Sequence, residues 1–258
     1  MHKLVVAFII ALLVLVIALI STLILKEPIL PLTASMRDLR RHYISRSYDP
    51  YDKYNSAQVP AIVNSIIWDF RALDTYFETI VFFTALIAAL TIYHEYLVEV
   101  KLYSIRKHLH IPSNVLKLIL PIALGISIGV AVKGIVSPGG GFQGGVLLAL
   151  SVYLLINTSL YYRLFRNSHE LLLLIRSVSI ILISLMAILP YLLFGDNCYL
   201  FQVSVKQKCA FGLIASVYGS RVSLVPIIYN FLEYLAISAG FILLLLIIII
   251  GGYKEKIP

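Results

Sequence analysis

The chain has 258 residues, of which 60% are hydrophobic and 13% charged, with a mean hydropathy of +0.93 and a formal net charge of +8. A soluble domain runs nearer half apolar and a quarter charged. The composition therefore excludes a water-soluble globular fold and indicates an all-α, polytopic integral membrane protein, with no nucleic-acid partner expected.

A bilayer core takes about 20 apolar residues per helix, and six segments qualify. Residues 4–25 (LVVAFIIALLVLVIALISTLIL) carry no charge. A signal peptide has an apolar run of about 7–15 residues and a small-x-small cleavage site. This run is longer, and no such site precedes Lys26-Glu27-Pro28, so it reads as a retained helix. The polar segment 27–77 follows, containing PLTASMRDLRRHYISRSYDPYDKYNSAQVP. Loops of such length are ordinarily functional or disordered. Its last part, Pro60 to Leu73 (PAIVNSIIWDFRAL), has apolar residues at 62, 63, 66, 67 and 70. That is a helical stripe, opened by a proline suited to a first turn. It is too short to span and reads as an interfacial or protein-docked helix.

The second span is expected over 79–98, the third over 115–136, the fourth over 142–162, the fifth over 171–194 and the sixth over 224–250. With six spans both termini share one side. Lys101, Arg106, Lys107, Arg163, Arg166, Lys254 and Lys256 lie there, against Lys133, Lys206, Lys208 and Arg221 in the opposite short loops. Long loops count for little in the positive-inside rule. Seven against four favours cytoplasmic termini in a multi-pass protein of the cell membrane. Cys198 and Cys209 share the loop DNCYLFQVSVKQKCAFG, which would then lie outside. No CxxC or Cys/His spacing suggests a metal site, and no cofactor motif appears. A disulfide and two buried thiols both fit the sequence, because pairing depends on geometry.

Between the third and fourth spans stands SPGGGFQGG, with five glycines in seven positions from Gly139 to Gly145. A P-loop needs GxxxxGK[ST] after a strand, and a dinucleotide site needs GxGxxG inside a βαβ unit; neither context exists. Pro138 and the glycines break the chain between helices. Gly140/Gly144, Gly141/Gly145 and Gly125/Gly129 are GxxxG pairs of the kind that let helix backbones approach closely. They suggest packing faces for other subunits.

The stretch GIVSPGGGFQGG, from Gly134 through Phe142 to Gly145, resembles the signature of the MnhB/MrpB subunits of multi-subunit Na+/H+ antiporters. The resemblance continues through VPIIYNFLEYLAISAGFILLL (225–245), similar to that family's last helix. Ile135 stands where the family usually has histidine, so a role resting on that histidine is absent or moved. The first half resembles something else. VPAIVNSIIWDFRALDTYFETIVFFTALIAAL (59–90) is similar to the MbhE-type segment that forms the C-terminal end of the large antiporter subunit. Pro60, Asp69, Arg71, Asp74, Thr75 and Glu78 match its pattern; Ala72 and Tyr76-Phe77 depart from it. The two resemblances imply a fusion, with an MbhE-like part over 1–110 and an MnhB/MrpB-like part over 111–258, joined near EVKLYSIRKHLHIPSN (99–114).

Charge placement adds candidates for an ion or proton path. Arg71, Asp74 and Glu78 fall at i, i+3 and i+7, one helical face, with Asp69 and Arg71 as an interfacial charge cluster. Glu78 leads into a span, where an ionisable group is costly and usually faces protein or water. Glu233 lies deep in the last span. Lys133 ends the third and could snorkel, as could Arg176 and Lys117. His94, His108 and His110 suit a wet interface rather than a metal. The family resemblance implies a non-catalytic subunit of a cation/proton antiporter module, stand-alone or within a membrane-bound hydrogenase or sulfur-reductase complex. Its partners would be other subunits and the bilayer, with Na+ and H+ as transported ions. The alternatives are a self-sufficient transporter or a purely scaffolding subunit. No repeat between the halves supports the first of these, and no nucleophile, metal or cofactor cluster supports an enzyme.

Overall fold

The computed structural model describes residues 38–92, 113–156, 169–217 and 220–254. The span expected over 4–25, and His94, His108 and His110, fall outside the described residues. The chain forms two compact units, Met1–Arg41 and His42–Pro258. Only Asp38–Arg41 of the first is described, as the opening turn of helix α1 (Asp38–Ser47).

The polar sequence of α1 carries Asp38 in its first turn and Arg46 in its last, each matching the helix dipole. The chain then doubles back. Ala57 N–H donates to Arg46 C=O at 2.7 Å and Val59 N–H to Ser47 C=O at 3.0 Å, satisfying carbonyls at the helix end. Ser47 Oγ donates in turn to Val59 C=O at 2.8 Å.

Helix α2 (Ile62–Ser65) runs into a π turn, Ile66–Phe70, and stops at Arg71 (φ −131°, ψ 33°). It is docked on protein, but not by the expected stripe: Asn64, Ser65 and Trp68 are buried, whereas Val63 is 58% exposed. The extra residue of a π turn rotates every later side chain about the axis, so one 3.6-residue stripe does not describe the segment.

Helices α3 (Ala72–Ile92), α4 (Ser113–Lys133), α5 (Gly141–Ile156), α6 (His169–Phe194) and α7 (Val225–Lys254) form the membrane part. The windows Ala72–Ile92, His169–Asn197 and Val225–Leu246 are three helices long and apolar enough to cross a membrane; Leu118–Lys133 and Gly141–Leu154 are shorter apolar helices. Helix α3 begins at Ala72 rather than at residue 79, which puts Asp74 and Glu78 inside it. Helix α7 is central, packing on α5 and α6 and more lightly on α4 and α3. It is the most enclosed of the three long helices, while α3 and α6 leave most of their apolar surface uncovered. Leu86, Ala149, Val152, Leu172, Ala239 and Leu243 make the membrane-side core.

The segment 195–224 is not a plain loop. A 3-10 turn (Gly195–Asn197) leads to the Cys198–Cys209 disulfide, whose Cα atoms are 5.3 Å apart, and then to an antiparallel hairpin, β1 (Ile214–Val217) with β2 (Ser220–Ser223). The all-α expectation missed this hairpin, since four-residue strands leave little alternation to read. The hairpin and the residues before α2 form one cap. Ser223 N–H donates to Gln58 C=O at 2.8 Å, Ser204 Oγ to Ser56 C=O at 3.0 Å, and Ala61 N–H to Ile135 C=O at 2.9 Å. Ala57, Val59, Phe201, Val203 and Val222 close its core against Trp68, Val225 and Tyr229.

Candidate functional site

The glycine stretch sits against α7 of its own chain. A Cβ on Gly141 would overlap the Asn230 carbonyl oxygen and meet Glu233 Oε2 at 2.7 Å. On Gly145 it would meet Ile237 Cβ at 2.9 Å, and on Gly144 the Ser127 carbonyl on α4 at 2.6 Å. Gly134 abuts Asn230 Nδ2, and Gly139 reaches the Val130 carbonyl only through a φ of +149°, open to glycine. Gly140 has the flexible Gln143 side chain as its nearest neighbour, and Pro138 is exposed in the turn. Gly125 and Gly129 meet nothing within 4 Å. The small residues of α5 thus wedge it between α4 and α7 at backbone distance.

That close approach builds a polar seam. Asn230, Glu233, Ile237 and Gly240 follow one another at helical spacing down one face of α7. Asn230 Oδ1 accepts Trp68 Nε1–H at 2.7 Å, and Trp68 stacks on Tyr229 with centroids 4.8 Å apart. Glu233, only 6% exposed, accepts the backbone N–H of Phe142 in the first turn of α5. A carboxylate there satisfies an orphan donor and the positive end of the helix dipole. Glu78, exposed on α3, interacts electrostatically with Glu233.

Of the remaining candidates, Asp74 lies one turn before Glu78 on α3. Asp74 pairs with Arg71 at 2.5 Å, both more than half exposed, a pair worth little in stability. Lys133 is exposed at the end of α4. Asp69 and Arg71 take different partners, as residues two apart in a helix do not face each other. Asp69 accepts Tyr199 O–H at 2.9 Å and pairs with Lys206 Nζ at 3.7 Å, which also donates to Ser56 C=O at 3.0 Å. Among the described residues no group of His, Cys, Asp or Glu is arranged to hold a metal ion.

Arg176 corrects another expectation. It does not snorkel. It is fully buried in α6, its guanidinium 4.4 Å from the Phe82 ring centroid and 5.3 Å from that of Phe83. The slot exists because position 240 on α7 has no side chain: a Cβ there would overlap the guanidinium. Aromatic faces offset part of the cost of burying such a cation. The sequence signal available was the Phe82-Phe83 pair opposite a glycine in the last span.

Burial pushes the Asp69 carboxyl above its ordinary value of 3.8, against Lys206, the Tyr199 hydroxyl and the Val203 N–H, which pull it down. Burial likewise pushes Lys206 below its ordinary value, with Asp69 opposing. A group whose folded value is raised binds its proton more tightly folded than unfolded. Its stabilising contribution is present at low pH and is lost as pH rises through the folded value. The melting temperature of the wild type relative to Asp69→Asn is therefore expected to fall as pH rises upward from 3.8. A difference that rises with pH, as for an ordinary salt-bridged aspartate, would contradict this.

The family described as a domain related to the MnhB subunit of Na+/H+ antiporter matches residues 111–249. No curated protein matches the chain. Among solved structures, a chain of the Mrp complex from Dietzia sp. DQ12-45-1b is similar with a TM-score of 0.63 at 16% identity. That likeness covers 98% of this chain and 26% of the other, so the chain spans about a quarter of that relative. A chain of the membrane-bound sulfane sulfur reductase, an archaeal respiratory membrane complex, is similar with a TM-score of 0.57 at 18% identity, covering 96% and 98% of the two chains. At such identities the likeness is one of fold.

Proposed function

The chain belongs to the family of domains related to the MnhB subunit of Na+/H+ antiporters, and from that premise we propose that it is a non-catalytic membrane subunit of a multi-subunit Na+/proton antiporter module. The family match over residues 111–249 carries the reading. The module stands alone or serves a membrane-bound hydrogenase or sulfur reductase. Residues 1–110 are the fused MbhE-like part, a boundary supported by the family match beginning at 111. Within this subunit Glu78 and Glu233 line the ion or proton path, supported by the enclosure of Glu233 among the helices and the placement of Glu78 near the start of a span. An affinity tag on this chain is expected to recover large antiporter-type subunits from solubilised membranes. Recovery of the chain alone, with cation-dependent proton transport in vesicles holding nothing else, would instead establish a self-sufficient transporter.

Both termini are cytoplasmic in this reading, and the cap lies outside. The Cys198–Cys209 disulfide supports it, because disulfides persist in oxidising compartments. After reduction, a membrane-impermeant thiol reagent added to intact cells is expected to label both cysteines. Labelling only in inverted vesicles would reverse the orientation.

A further inference from the structure

The cap carries a shallow, open depression of about 670 Å³ that the transport reading does not use. Its walls bring together His42 and Arg46 of α1 with Lys206 and Lys208 of the disulfide loop. The one carboxylate lining it, Asp69, is already engaged by Lys206 and Tyr199. Arg46 is braced by Nη1 donating to Asn55 C=O at 3.3 Å, and Lys208 is exposed. The cleft is therefore an open cationic surface with donors to spare.

Its position identifies the anion. Asp69 and Phe70 lie three and two residues before α3, and Tyr199 follows the end of α6 by five residues, so the cleft lies beside the ends of two helices long and apolar enough to span a membrane. Tyr54, Phe70 and Tyr199 add aromatic walls, the side chains that favour the headgroup layer. Just inside lie Leu73 and Phe77 on α3 and Leu192 and Leu193 on α6, all exposed, an apolar surface suited to acyl chains. Lysine and arginine side chains donate charge-assisted hydrogen bonds to phosphate oxygens. We propose that this cleft binds the phosphate headgroup of an anionic membrane lipid, with Arg46 and Lys208 as its principal contacts. An acidic segment of a neighbouring protein would need the charge but not the aromatic and apolar surroundings at the span ends.

The full chain, purified in neutral detergent, would be titrated with phosphatidylglycerol, phosphatidylcholine or inorganic phosphate and read by native mass spectrometry. One phosphatidylglycerol per chain is expected to bind in preference to phosphatidylcholine. Lys208→Ala should weaken it about tenfold, the size of one charge-assisted hydrogen bond, while Lys208→Arg retains it. Arg46→Gln serves as the second variant, and lipid-free melting temperatures establish that both are folded. Inorganic phosphate binding as tightly as the lipid would make this a free-phosphate site and overturn the lipid assignment. An acidic polypeptide retained at the cleft and released by Lys208→Ala would overturn it too, as would lipid binding indifferent to headgroup or to both variants.

Discussion

Gly141→Leu is expected to remove this chain from membranes, whereas Gly125→Leu accumulates to wild-type levels. The difference lies in what each glycine faces. A side chain at 141 meets the backbone oxygen of Asn230 and the Cβ of Glu233 at 2.8 Å, and backbone has no rotamer with which to yield. Moving α5 away is blocked on its other side, where Gly144 already lies against the Ser127 carbonyl of α4. Overpacking a close-packed interior costs about 1–3 kcal/mol even where side chains can shift. Here the displacement also breaks the Glu233–Phe142 contact and strains the Trp68–Asn230 hydrogen bond. A loss of about 3 kcal/mol or more is a large part of a typical folding free energy. Gly125 has nothing within 4 Å, so leucine there costs the chain little. Immunoblots of membranes and thermal melts of the purified chain decide the matter. Equal accumulation and equal melting of the two variants would mean that the α5–α7 contact is not what holds this subunit together.

How far this could be read from sequence depends on the range of the interaction concerned. Run length placed α6 and α7 to within a few residues, because twenty apolar residues in sequence are a local property: 171–194 against His169–Phe194, and 224–250 against Val225–Lys254. The start of α3 was misplaced because Asp74 and Glu78 lower hydropathy without interrupting a helix. The glycines announced a close approach, but a GxxxG pair does not say which backbone approaches, and for Gly141 and Gly145 it is α7 of the same chain. Arg176 shows the same limit. Its distance from the helix start suggested a route to water, while its environment is set by Phe82 and Gly240, far away in sequence. The parting of Asp69 from Arg71 was legible, since residues two apart on a helix do not face each other. The hairpin and cap rest on hydrogen bonds between segments more than a hundred residues apart, such as Ser223 with Gln58.

Glu78→Gln is expected to lower cation-dependent proton transport by the assembled complex about tenfold or more, the scale on which a positioned acid or base contributes. Glu233→Gln should lower it less. Both substitutions keep size and a carbonyl acceptor, so the Phe142 N–H remains satisfied when residue 233 is glutamine and α5 keeps its first turn. What each removes is charge. Glu233 is enclosed and its charge is balanced locally by the helix end it caps, so its role in holding the helices can survive neutralisation. Glu78 is exposed on α3, a helix that this chain leaves mostly uncovered, where an ion in a neighbouring subunit would meet it first. The comparison uses everted vesicles with equal amounts of assembled complex, checked on native gels. Wild-type transport with Glu78→Gln would remove this pair from the path and leave the subunit as a scaffold.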